Sequence, residues 1–194
     1  TPTSTPVMKT LDLWATAANW NPNQVPSTND TAVITNAGTY TVTLNLDPTI
    51  AGLVVGGASG TQTLNMAEQT LTLNGSGTVG SRGVFTFLNS NSTLTGTNLV
   101  SLEGILNWSG GTINTNAAVT ITPGGQMKIA SGANFAKYLY GSLTNHGTIT
   151  WQLYGGLRIG GVLHNAGLFD TKVDLTLYRT GNGVIINDGV FRKS

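Results

Sequence analysis

Eight carboxylates, two histidines and one Gly-x-Gly-x-x-Gly segment are the groups in this chain whose types could carry chemistry. The carboxylates are Asp12, Asp30, Asp47, Glu68, Glu103, Asp170, Asp174 and Asp188. A polysaccharide lyase or hydrolase needs several carboxylates converging in one cleft, often with a cation or an arginine. Only Asp170 and Asp174 are close in sequence, and no third acid joins them. His146 and His164 lack the third ligand that zinc requires. The segment at 75–80 reads "GSGTVG", but a dinucleotide site needs a helix whose N-terminus meets the pyrophosphate. The residues that follow, "SRGVFTFL", read as a strand. No Ser-His-Asp set is recognisable by spacing. The expectation is a chain with no catalytic, cofactor-binding or metal site, and one that is not an enzyme.

Two other patterns suit contact rather than catalysis. Tyr138, Tyr140, Trp151, Tyr154 and Tyr178 crowd the C-terminal half. Aromatic rings on a flat face stack on sugar rings or on another protein. Thr-x-Thr pairs recur at 41/43, 61/63, 70/72, 93/95, 120/122 and 148/150. Regular threonine ladders suit ice binding, but these spacings are too uneven for one clean ladder, and threonine is a good strand residue anyway.

The elements that position these residues are strands. With 26 Gly and many Thr and Asn, helix is disfavoured. Segments of period two dominate, among them "YTVTLN", "QTLTLN", "GVFTFL" and "AAVTIT". One short helical stretch is expected over "ANFAKYLY", residues 133 to 140.

Three segments repeat. Aligned on Asn145, Asn165 and Asn187, they are separated by 20 and 22 residues. Gly147, Gly167 and Gly189 follow two residues later, and Ile149, Phe169 and Phe191 four later. Leu143, Leu163 and Ile185 precede by two, and Gly141, Gly161 and Gly183 by four. A period near twenty built of short strands and Asn/Gly punctuation predicts a parallel β-solenoid. The Asn and Gly are read as corners, with φ > 0 and with Asn side chains stacked in a column. The Leu/Ile and the Ile/Phe sets are expected to form two inward columns. Asp170 and Arg192, both five residues past an aligned Asn, should meet on adjacent coils. Residues 48–194 should supply about seven coils at roughly 4.8 Å each.

Residues 1–47 read as an N-terminal extension and cap, with Trp14 and Trp20 suited to cover the raw end of a solenoid. The order "DLWATAANWNPNQVPSTNDTAVI", then "GTYTVTL", then "LNWSGGTI" and Asn-x-Gly-x-Phe resembles repeat modules of large secreted and surface proteins of bacteria. Autotransporter passengers and adhesin-like β-solenoids are such proteins. That resemblance implies an extracellular scaffold, adhesin or fibre component, and it transfers no catalytic residue.

Composition limits the partners. Only 9% of residues are charged and the formal net charge is +1, so nucleic acid and acidic membranes meet no basic patch. Cysteine is absent, and no apolar run approaches the length of a membrane span. The functional expectation is an extracellular structural or adhesive module on a cell surface. It self-associates head to tail, with Thr1 to about Leu13 docking on the next subunit, and with a glycan or a host or cell-surface protein as a further partner. The alternative is a carbohydrate-binding module. A polysaccharide-active enzyme and an ice-binding protein rank below it.

Overall fold

The computed structural model describes residues 5–6, 12–130, 135–153, 155–174 and 176–194. The chain winds as a parallel β-solenoid of three faces. The strands of one coil are Ser142–Asn145 on the first face, Thr148–Trp151 on the second and Leu157–Ile159 on the third. Among the described residues, the first face runs over eight strands from Thr31–Ile34 to Val184–Asn187. The second runs over nine strands from Asp12–Leu13 to Val190–Lys193, and the third over seven from Thr49–Ile50 to Leu177–Arg179. All pairings within the three faces are parallel, and the solenoid makes about seven turns. The division drawn at residue 48 falls inside the first coil, whose opening strands are Thr31–Ile34 and Tyr40–Leu44.

Period two in the sequence becomes inside and outside. In Tyr40–Leu44 the residues Tyr40, Val42 and Leu44 are buried, while Thr41 and Thr43 face out. Stacking then turns equivalent residues into columns. Leu143 aligns with Leu163 and Leu163 with Ile185 on the first face. Ile149, Phe169 and Phe191 align on the second, where the two phenylalanine rings stack at 4.5 Å. The two inward columns expected from the repeat are therefore present.

The asparagines make a ladder inside the solenoid. Asn145 Nδ2 donates to Asn165 Oδ1 at 2.7 Å, and Asn165 Nδ2 donates to Asn187 Oδ1 at 2.7 Å. Each also closes the bend into the second face: Asn145 Nδ2 donates to the Leu168 carbonyl, and Asn165 Nδ2 to that of Val190. Asn145 and Asn165 are fully buried, and Asn145 stands in register with Ile121 of the previous coil. Buried amides are tolerated there because the ladder satisfies them.

The glycines two residues on have a different cause from the one expected. Gly147, Gly167 and Gly189 are not among the glycines with positive φ. A Cβ on any of them would lie 2.3 Å from a backbone carbonyl oxygen of the coil beneath. Close stacking of backbone on backbone, not left-handed geometry, demands glycine at this bend.

The helix expected over 133–140 is not formed. Residues 133 and 134 lie outside the described residues, and Lys137–Leu139 is a third-face strand paired with Gly111–Ile113. Pairing to the coil beneath overrides local helix propensity. Among the described residues, the helical turn that exists is the 3₁₀ segment Ala17–Asn19.

Trp14 and Trp20 are fully buried and meet edge to face at 4.8 Å within the core. Trp20 Nε1 donates to the Trp14 carbonyl. Asp12–Leu13 pairs with Tyr40–Leu44, and Thr5–Pro6 pairs antiparallel with Trp20–Asn21. Of the segment expected to dock on the next subunit, residues 1–4 and 7–11 lie outside the described residues.

Phe169 fills the centre of its column and is fully buried. Phe169→Ala should lower the unfolding free energy by about 3–5 kcal/mol. The outward Thr150→Ala in the adjacent strand should change it by less than about 0.5 kcal/mol. Denaturant titration of both variants checks the assignment of inside and outside.

Candidate functional site

The outward columns gather the side chains available for contact. On the third face Tyr138, Arg158 and Tyr178 follow one another in register on successive coils. The Arg158 guanidinium lies 5.9 Å from the centre of the Tyr138 ring and 5.2 Å from that of Tyr178. Tyr140 stacks on Tyr138 at 5.8 Å. Tyr140 and Tyr178 are exposed. Three of the five aromatics expected to form an interaction surface are therefore brought together.

Trp151 is not on that surface. It is fully buried in an inner column of the second face, 6.4 Å from the Phe169 ring, and its Nε1 donates to the Leu153 carbonyl. The alternation of Thr148–Trp151 places it inside with Ile149. Tyr154 lies outside the described residues. Arg158 was missed in the sequence, although 138, 158 and 178 repeat at the coil period of twenty.

The Thr-x-Thr pairs are uneven partly because they belong to different faces. Thr41/Thr43 and Thr148/Thr150 are on the second face, and Thr70/Thr72 and Thr93/Thr95 on the third. On the third face Thr70, Thr93 and Thr112 stack in one column, and Thr49, Thr72 and Thr95 in another. "GSGTVG" contains the strand Ser76–Val79 and is followed by the strand Gly83–Phe87.

Charges cluster near the last coils. Asp170 and Arg192 meet at 3.3 Å, as their common offset predicts, and Lys172 reaches the same carboxylate oxygen at 2.9 Å. Hydrogen bonds from Arg192 and then Lys172 hold the Asp170 carboxyl at about 2. His164 Nε2 lies 2.8 Å from Asp188 Oδ2, and Lys193 pairs with Asp174. Among the described residues, no three acidic or histidine side chains are grouped as a metal would need.

Lys137 is the anomaly. Its strand register puts it in an inner column between Gly111 and Leu157, where it is fully buried. Nζ donates to the Phe135 carbonyl at 2.9 Å. Burial penalises its charged form and pushes the amine down to about 8.

Comparison with protein-family models, with curated proteins and with solved structures finds no match.

Lys137 predicts how stability responds to alkali. Its folded value, about 8, lies below the ordinary 10.5, so between those pH values the unfolded chain binds more protons. Stability should therefore rise as pH increases from about 8 to about 10.5. Lys137→Met should remove that rise and be more stable than wild type at neutral pH. Urea titrations across this range check both points, and an unchanged slope in the variant would contradict the assignment. Asp170 has the opposite limb: its stabilisation is complete above the ordinary 3.8 and is lost as pH falls towards 2.

Proposed function

We propose that this chain is a non-enzymatic structural and adhesive module of the bacterial cell surface, extended by head-to-tail stacking of copies. One observation carries the reading: in the last coil the inner columns are exposed. Ile185 and Phe191 belong to inner columns that are buried in every earlier described coil but the last, yet they are 45% and 42% exposed. Val184, Ile186 and Val190 beside them are also exposed. An apolar recess of about 410 Å³ opens there, lined by Ile159, Arg179, Gly183, Val184 and Ile185. Val184–Asn187 and Val190–Lys193 are edge strands, and such edges template the pairing of another chain.

The opposite end fits as the occupant. Its outermost strands in the three faces are Asp12–Leu13, Thr31–Ile34 and Thr49–Ile50, all running in the same sense as those of the last coil, with Thr5–Pro6 lying near Thr31–Ile34. Trp14 and Trp20 fill the interior behind them, and Leu13 is exposed at the rim. Charge supports the same direction of assembly. Residues 12–103 carry five carboxylates and one arginine, whereas residues 104–194 carry seven cations and three carboxylates. A net acidic head and a net basic tail attract one another and disfavour like ends meeting. A heterologous contact of this kind propagates as a filament unless its rotation closes. The resemblance to autotransporter passengers and adhesin-like solenoids supports the cell-surface setting.

Sedimentation velocity of the full chain at rising concentration tests this. Wild type should form polymers at low salt that shorten as salt screens the ends. Ile185→Glu combined with Phe191→Glu should leave a folded monomer, because both side chains are already exposed. A monomeric wild type, or polymers untouched by the double substitution, would overturn the reading.

A further inference from the structure

We infer that the third face carries a binding site for an acidic saccharide, centred on Arg158 and flanked by Tyr138, Tyr140 and Tyr178. The site lies on the outward side of the third face, and Tyr178 belongs to that face's last strand, Leu177–Arg179, beside the coil end.

Arg158 holds a charge that no described carboxylate neutralises. The four ion pairs among the described residues involve His164, Lys172, Arg192 and Lys193, and none involves Arg158. Its guanidinium is held between the Tyr138 and Tyr178 rings at 5.9 and 5.2 Å. Contact with the ring faces uses no N–H donor of the guanidinium, so its donors stay available as a fork for an incoming oxyanion. A carboxylate matches that fork with two parallel hydrogen bonds.

The glycines beside Arg158 let tyrosine rings pack close to the strand. Gly156 and Gly160 flank Arg158 on the same strand side, and rings of the neighbouring coils lie over both. A Cβ at Gly156 would come within 3.0 Å of Tyr178 Cε2, and one at Gly160 within 2.7 Å of Tyr140 Cδ1. Two exposed rings therefore border Arg158, Tyr140 at 39% and Tyr178 at 45%. Exposed tyrosines of this kind offer an apolar face with a polar rim, suited to the C–H face of a pyranose.

The two features select one ligand class together. A neutral sugar gains the ring contact but leaves the fork empty. An acidic peptide fills the fork but offers no flat C–H face to the tyrosines. A sugar whose ring carries a carboxylate, a uronate, satisfies both at once.

Calorimetric titration of the full chain with tetragalacturonate at low salt tests this, with cellotetraose and tetraglutamate as comparators. Tetragalacturonate should bind at least about tenfold more tightly than either, and Arg158→Gln should weaken it by about tenfold or more. Tyr178→Ala should weaken it by a similar factor, while Tyr178→Phe keeps the ring and should retain most of the affinity. Arg158→Lys should fall between wild type and Arg158→Gln, because it keeps the charge and loses the fork. Circular dichroism accompanies each variant. Should Arg158→Gln or Tyr178→Ala fail to fold, Tyr140→Ala reads the same site from the neighbouring coil. No binding by wild type, full affinity in Arg158→Gln or in Tyr140→Ala, or equal affinity for cellotetraose would overturn the inference. Equal affinity for tetraglutamate would also overturn it, and would point to a protein partner instead.

Discussion

Every feature of this chain answers to one constraint: each coil lies on the one beneath it at the spacing of paired parallel strands, about 4.8 Å. At that distance a residue meets its counterpart twenty or so positions away more closely than most of its neighbours in sequence. Apolar residues must then follow apolar ones, as Ile149, Phe169 and Phe191 do. A polar residue can enter the interior only if its counterpart completes its hydrogen bonds. The Asn145–Asn165–Asn187 ladder meets that condition. Where backbone crosses backbone at the bend, no side chain fits, and Gly147, Gly167 and Gly189 result.

The same constraint shapes the outside. Side chains in an outward column are forced into contact along the axis, so a column becomes a surface of one chemistry. Two columns of threonine cover the early coils of the third face. Further along, Thr112 gives way to Tyr138, Arg158 and Tyr178. Opposite charges also find one another one coil apart, as Asp170 and Arg192 do. Lys137 shows what stacking can impose against solvation. Its register places an amine inside, with the Phe135 carbonyl as acceptor and a depressed affinity for its proton.

Much of this was legible in the sequence because a solenoid writes its tertiary contacts as a period. The offsets from Asn145, Asn165 and Asn187 located two inner columns, the asparagine ladder and the Asp170–Arg192 pair before any coordinates. What stayed hidden depends on direction rather than period. Trp151 looked like a surface aromatic because its neighbour Tyr154 is also aromatic, but alternation with Ile149 sends it inside. Residues 133–140 looked helical because Ala, Lys and Leu favour helices locally, and only pairing with Gly111–Ile113 makes 137–139 a strand. Arg158 went unnoticed because a single arginine is no motif, although its twenty-residue spacing from two tyrosines was there to be read. The glycines were located correctly but for the wrong reason, since sequence does not distinguish a positive φ from a crowded Cβ.

The proposed stacking of copies rests on the exposed inner columns of the last coil, at Ile185 and Phe191. Amide hydrogen exchange, resolved along the chain and followed against protein concentration, measures this most directly. The account predicts slow, concentration-independent exchange through the middle coils. It predicts protection that rises with concentration over Val184–Asn187 and Val190–Lys193, matched by a rise at Thr31–Ile34 and Thr49–Ile50. Equal exchange in the last coil at all concentrations, or protection that rises uniformly along the chain, would contradict it.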